Sequence, residues 1–261
     1  MNTPLPTAHQ RAVADAALAQ ESAQRRHLVV HLSGAHAFGF PSHDSDLDLK
    51  AVHIEATRHL VGLTQPRVTF NRLEVIDGVE IDYTSNELSM GLSGVLKGDG
   101  NMLERLLSRQ PVAADSALTE LQPLVRAALS QRFARHYLGY ARGQAKQLRD
   151  ADLPKAKTLL YVLRTAVTGT HLLLEGACEP DLTALHERYK LPEVPELVHR
   201  KASAERGALD ESWRERIEPL LARALSQLDD ARSRSPLPSE PTAQSTADLQ
   251  DWMLQVRREY W

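Results

Sequence analysis

Two hydrophobic periods divide the chain. Between His27 and Tyr83 the apolar positions recur at every second residue or in short runs, and beyond Tyr83 they recur at helical spacing. His27-Leu28-Val29-Val30-His31-Leu32 is a β-branched run that predicts a strand, and Ser33-Gly34 punctuates it. From Asp44 to Glu55, Leu47, Leu49, Ala51 and Ile54 alternate with Asp46, Asp48 and Lys50. That pattern predicts a second strand with one polar face as far as about Ala51. Val68–Val75 and Val79–Tyr83 predict two more strands, joined by the two-residue hairpin turn Asp77-Gly78. An Ala- and Gln-rich stretch over 8–25 precedes the strands and reads as a helix.

After the strands, Thr84-Ser85-Asn86-Glu87 has the form of a capping box, with Thr84 as N-cap, and predicts a helix to about Lys97. Helical spacing continues over roughly 100–108, 116–129, 131–149, 155–175, 181–189, 195–205 and 211–232. Residues 233–247 form a Pro/Ser linker, mobile by composition, and 247–258 predict a last helix carrying Trp252, Leu254 and Val256. The resulting fold class is α+β: a small mixed sheet with flanking helices, followed by an all-helical domain. The expected division is a catalytic module over 1–112, a helical domain over 113–232, a linker over 233–247 and a C-terminal helix over 248–261.

Composition narrows the function classes. Aromatics are only 5% of the 261 residues, so the core must rest on Leu, Val and Ala. A net charge of −3 gives no global pull toward nucleic acid or anionic lipid, which leaves only a local basic groove for that purpose. Cys178 is the one cysteine; it cannot form an internal disulfide and reads as a small buried hydrophobe. The N-terminal residues lack the regions of a signal peptide, and no apolar run approaches the ~20 residues that span a bilayer. The expectation is a cytoplasmic protein without a membrane partner.

The chemistry concentrates between Leu32 and Lys50. A strand ends in the small-residue turn Ser33-Gly34-Ala35, where backbone N–H groups can approach a phosphate. The next strand presents Asp46 and Asp48 two residues apart, on one face. Two carboxylates so placed repel unless a hard cation sits between them, and magnesium is the natural occupant. A site of this kind recruits a third carboxylate from a neighbouring strand; Asp82 is the first choice, with Glu80 in reserve.

This arrangement resembles the signature of the DNA polymerase beta superfamily: a glycine turn, about ten residues, Asp-x-Asp, and an acidic residue on a later strand. More narrowly, Ser33-Gly34-Ala35-His36-Ala37-Phe38-Gly39 followed by Asp44-Ser45-Asp46-Leu47-Asp48-Leu49-Lys50 is similar to the RlaP-type nucleotidyltransferases associated with RNA repair. Leu96-Lys97-Gly98-Asp99-Gly100-Asn101-Met102-Leu103-Glu104 also looks like that family, whose helix ends in Lys-Gly-Asn-x-Asn before a Leu-Glu pair. The resemblance covers about residues 27–108 and extends loosely over 157–175. It implies magnesium-dependent transfer of a nucleoside monophosphate from an NTP, ATP among them, to an acceptor hydroxyl, with RNA as the acceptor. In that scheme Asp46 and Asp48 bind two magnesium ions, Asp82 completes the catalytic metal site and accepts the acceptor hydroxyl's proton, and the Ser33-Gly34-Ala35 turn cradles the β- and γ-phosphates. The sequence departs from the pattern at Ala35, where the superfamily has a serine that contacts the triphosphate; Ser33 comes one residue too early to replace it. A nest of backbone N–H groups can still hold the phosphate.

Other features carry two readings. Lys50 is either a phosphate contact or ion pair that orients the carboxylates, or a surface lysine at a strand end. His27, His31, His36, His43, His53 and His59 lack metal-ligand spacing and read as ordinary loop and strand histidines. Asp99, Asn101 and Glu104 cluster at a helix junction, where Asn101 is the expected cap of the following helix and a family-linked role near the active site is the second reading. Arg132, Arg135, Arg142, Lys146 and Arg149 form a basic stripe, either a groove for RNA or a solvated face. Lys157 and Arg164, seven apart on the next helix, are candidates to hold the triphosphate tail. Arg164 and His171 vaguely resemble the motif of HEPN ribonucleases, against a plainer reading of Leu159, Leu160, Leu163, Val167 and Leu172-Leu173-Leu174 as a core stripe. The rival functions are therefore a protein AMP-transferase acting on a partner such as a toxin, a catalytically silent nucleotide- or RNA-binding module, and a HEPN-type ribonuclease.

Overall fold

The computed structural model describes residues 6–43, 45–107, 111–203 and 208–261. Asp44, where the strand alternation begins, and residues 108 and 204–205, at the ends of two expected helices, lie outside the described residues. In chain order the elements are α1 (Ala8–Ser22), β1 (Arg26–Leu32), α2 (Gly34–Ala37), β2 (Leu47–Ile54), α3 (Thr57–Leu60), β3 (Thr69–Ile76), β4 (Val79–Glu87), α4 (Leu88–Lys97), α5 (Gly100–Leu106) and β5 (Ala113–Ala114). They continue with α6 (Ala117–Ala127), α7 (Phe133–Arg149), α8 (Ala156–Glu175), α9 (Leu182–Leu185), α10 (Val194–Ser203), α11 (Glu211–Arg234) and α12 (Ala243–Glu259).

The strands form one mixed sheet in the order β3-β4-β2-β1-β5, with β2 and β4 parallel and the other pairs antiparallel. The alternation in β2 buries Leu47, Leu49 and Ala51 against α1, where they join Val13, Ala14, Ala17, Leu18, Val30, Ile81 and Tyr83 in one apolar cluster. Asp48 and Lys50 therefore point to the opposite face. From Val52 onward β2 is buried on both sides, because α4 and α5 cover that face. Gly91 of α4 faces Val52: a Cβ there would stand 3.4 Å from a Val52 methyl, an ordinary packing contact. The hairpin turn falls on Asp77-Gly78 as the sequence predicts, both residues at positive φ.

The expected capping box at Thr84 is corrected. Thr84 to Glu87 continue β4, paired with Lys50 to His53 of β2, and the ladder bonds outweigh the local helix signal. Glu87 itself caps α4, its carboxylate accepting from the Ser89 N–H at 2.7 Å. Burial alone would raise the Glu87 carboxyl; hydrogen bonds from the Ser89 hydroxyl and backbone, with the Arg257 ion pair, bring it below its ordinary value. Likewise Asp99, not Asn101, caps α5, accepting from the Asn101 N–H at 2.9 Å.

By contacts the chain divides into two compact units that interleave along the sequence. One contains the sheet, within residues 6–34, 46–107, 111–129 and 240–261. Its last helix, α12, packs on α6 and α4, and Arg257 donates to the Glu55 carbonyl at 3.0 Å. The other unit holds 35–43, 45, 130–203 and 208–239, built around α8, which α7, α10 and α11 surround. There Leu159, Leu160, Leu163, Val167, Leu172 and Leu173 are buried as the core stripe predicts, and so is Cys178. The Pro/Ser stretch is not loose: Ser235 Oγ donates to the Leu173 carbonyl at 2.6 Å, and Gln131 donates to the carbonyls of Leu237 at 2.9 Å and Pro238 at 2.8 Å. Composition could not reveal these contacts, because they use backbone carbonyls.

Candidate active site

The parallel pairing of β2 with β4 sets Asp48 directly beside Asp82. Partners in register share a face, so two carboxylates stand side by side on a rigid sheet. Asp46 immediately precedes β2 and is half-buried. The Asp48 carboxyl is raised above its ordinary value, first by burial and then by the charge of Asp46, with Asp82 adding to it. Lys50 opposes that shift. Its ammonium lies 3.3 Å from Asp48 Oδ1 and 2.8 Å from Asp82 Oδ1, and donates to the Asp82 carbonyl at 3.2 Å. Of the two readings given to Lys50, the geometry has the ion pair. Glu80 lies further up β4, exposed and paired across the hairpin with Val75, whereas Asp82 meets the β2 carboxylate.

The glycine turn closes on the same carboxylate. Gly34 has φ +64°, and a Cβ built on it would stand 2.0 Å from Asp48 Oδ2. Only glycine accommodates both the left-handed backbone and that approach. The Ser33 N–H donates to the Asp48 carbonyl at 2.8 Å, so this amide is committed to the sheet rather than open to a phosphate. Ala35 is buried, and its carbonyl accepts from the Phe40 N–H at 3.1 Å in the helical unit.

Two neighbours on this face were not expected there: Arg105, which the sequence did not single out, and His31, read as an ordinary strand histidine. Arg105 of α5 donates to the Asn86 side-chain oxygen and, at 3.3 Å, to the Ala51 carbonyl. Burial lowers its guanidinium from the ordinary value while the charges of Asp99, Asp82 and Glu104 act the other way. His31 lies opposite Lys50 across the β1–β2 ladder and is buried. The period-two pattern already implied the His31 pairing once the strand register was fixed. Nothing local singled out Arg105, because a helix seven residues long does not announce which side faces the sheet.

The donor set suits a hard divalent cation. Asp46, Asp48 and Asp82 offer only carboxylate oxygens, and the Asp48 carboxyl is raised by burial and then by the neighbouring carboxylates, which Lys50 offsets in part. Among the described residues no three acidic, histidine or cysteine side chains are already drawn into a cation cage. Asp48 and Asp82 thus face one another across the Lys50 ammonium.

The remaining candidates lie in the helical unit. Lys157 is exposed on α8. Arg164, on the same helix, is buried with its guanidinium 3.5 Å from the centroid of the Phe38 ring. His171 is buried with Nδ1 2.9 Å from the Tyr189 hydroxyl, an arrangement that serves the core. Of the basic stripe on α7, Arg142 pairs with Asp229 at 2.7 Å and Arg149 with Glu218 at 2.8 Å, so α11 neutralises two of its charges. Among the clustered histidines, His27 meets the Tyr83 hydroxyl, His53 the Ser85 hydroxyl and His59 the Glu55 carboxylate.

The family model described as RlaP, RNA repair pathway DNA polymerase beta family, matches residues 10–255. An uncharacterised protein of Methanocaldococcus jannaschii is 25% identical over 219 residues, which are 82% of this chain and 88% of that one. A solved nucleotidyltransferase-like protein from Exiguobacterium sibiricum aligns loosely, with TM-score 0.34 and 10% identity, over 95% of this chain and 80% of that one. No helix among the described residues is long and apolar enough to cross a membrane.

Proposed function

This chain belongs to RlaP, the RNA repair pathway DNA polymerase beta family, and on that premise we propose that it transfers a nucleoside monophosphate from an NTP to a hydroxyl of RNA, with magnesium as cofactor. The observation that carries the reading is the in-register placement of Asp48 beside Asp82, with Asp46 next to them and the side-chain-free Gly34 against Asp48. Asp46, Asp48 and Asp82 would hold the metal, which supplies charge neutralisation for the transferring phosphoryl group. Gly34 keeps the approach to Asp48 clear for the triphosphate. The acceptor oxygen forms a bond to the α-phosphorus as the bond to pyrophosphate breaks, and the acceptor's proton passes to Asp82. That side chain is 40% exposed, so an acceptor hydroxyl has access to it. Asp48, only 18% exposed, is the fixed anchor of the site.

The test is incubation of the full chain with each α-labelled NTP, magnesium and either RNA or cell lysate. Label on RNA that is lost in Asp82→Asn and kept in Glu80→Gln supports the reading. Label on a protein instead assigns the chain to AMP transfer onto a partner. NTP binding without transfer to either acceptor assigns it to a silent nucleotide-binding module, the second reading, which the buried Ala35 and the committed Ser33 amide favour. Neither binding nor transfer refutes both.

A further inference from the structure

Lys50 holds its position through three contacts to two strands. Its ammonium meets one oxygen of Asp48, one oxygen of Asp82 and the Asp82 main-chain carbonyl, at 3.3, 2.8 and 3.2 Å. The side chain is only 17% exposed, with the buried His31 opposite it on β1 and Thr84 beside it in register on β4. Moving the ammonium aside would leave a half-buried charge without these partners and remove a donor from the Asp82 carbonyl, both unfavourable. The oxygens it engages, Asp48 Oδ1 and Asp82 Oδ1, are the pair through which a cation would bridge the two strands. Asp48 Oδ2 is turned the other way, against Gly34.

We propose that the Lys50 ammonium takes the place of one of two divalent cations at this cluster, so that Asp46, Asp48 and Asp82 together hold a single divalent ion. This rests on the reading of the cluster as a nucleotidyltransfer site and refines it: Lys50 is a resident cation that fixes the Asp48–Asp82 spacing.

Ion counting tests it without any turnover. Purified full-length chain is equilibrated with Mn2+ and a non-hydrolysable ATP analogue, and bound Mn2+ and bound nucleotide are measured per chain. The wild type is expected to hold one ion per bound nucleotide, Lys50→Arg also one, and Lys50→Met two. Two ions in the wild type overturn the Lys50 proposal while leaving the nucleotidyltransfer reading intact. One ion in folded, nucleotide-bound Lys50→Met overturns it as well. A wild type that binds neither nucleotide nor Mn2+ overturns the nucleotidyltransfer reading and this inference together. Should Lys50→Met fail to fold, the wild-type count decides, one ion supporting and two refuting.

Discussion

Gly34 provides the sharpest perturbation, because the fold contains its own control. Gly34 and Gly78 both sit in the left-handed region, at φ +64° and +80°. An added Cβ at Gly78 meets nothing within 4 Å, whereas at Gly34 it would stand 2.0 Å from Asp48 Oδ2. Alanine at either position incurs the left-handed backbone cost of ~1–2 kcal/mol. At Gly34 the Asp48 carboxylate must also retreat by more than ~1 Å, and overpacking of this kind costs ~1–3 kcal/mol. The same displacement at a reacting centre costs roughly 10²-fold in rate. Gly78→Ala should therefore lose ~1–2 kcal/mol of stability and keep wild-type transfer. Gly34→Ala should lose ~2–5 kcal/mol and drop transfer about 100-fold. Urea denaturation gives the first quantity, and single-turnover transfer well below the unfolding temperature gives the second. If Gly34→Ala matches Gly78→Ala in both measurements, the close approach of Gly34 to Asp48 is not part of the working site.

Two further outcomes test the frame around the site. His53 is buried, and burial depresses its imidazole to about 4, so it folds neutral. Its unfolded value is ~6.5, so its contribution is full above that pH and is lost as pH falls from ~6.5 through 4, about 3 kcal/mol in all. Urea unfolding at pH 7 and pH 5 should show the larger part of this loss, about 2 kcal/mol, in the wild type and a smaller one in His53→Gln; equal losses count against it. The Arg257–Glu87 pair ties α12 to the start of α4, and Glu87 is fully buried. Arg257→Ala leaves that carboxylate without its ion-pair partner and should cost ~3–5 kcal/mol, with Arg257→Met/Glu87→Gln recovering much of it. An Arg257→Ala protein as stable as wild type would show that the pair contributes nothing.

Much of the site-bearing part of the sheet was legible because β2 up to Ala51 and the first half of β4 alternate with a period of two. Leu47, Leu49 and Ala51 had to face a core, which sent Asp48 and Lys50 to the other side, and Asp82 followed by the same alternation on β4. Where tertiary pairing competes with a local signal, the sequence misleads. Thr84 to Glu87 have every mark of a capping box, yet β2 offers a parallel partner for all four residues, and no short-range pattern encodes that partner. The site shows the same division. The aspartates stand out by spacing, whereas the Lys50 bridge depends on a register between strands 32 residues apart, and Arg105 arrives from α5. The Pro/Ser segment reads as a free linker because composition records its lack of helix but not the donors of Ser235 and Gln131 that hold it.

The most direct test of the central claim is single-turnover transfer of label from α-labelled NTP to RNA, with magnesium, in wild type, Asp48→Asn and Asp82→Asn, scored beside equilibrium NTP binding. The account predicts transfer by the wild type and a loss of at least ~10³-fold in both variants, with the fold intact by thermal melting. Transfer that survives either substitution at the wild-type rate would contradict it, because the paired carboxylates of β2 and β4 would then not carry the chemistry.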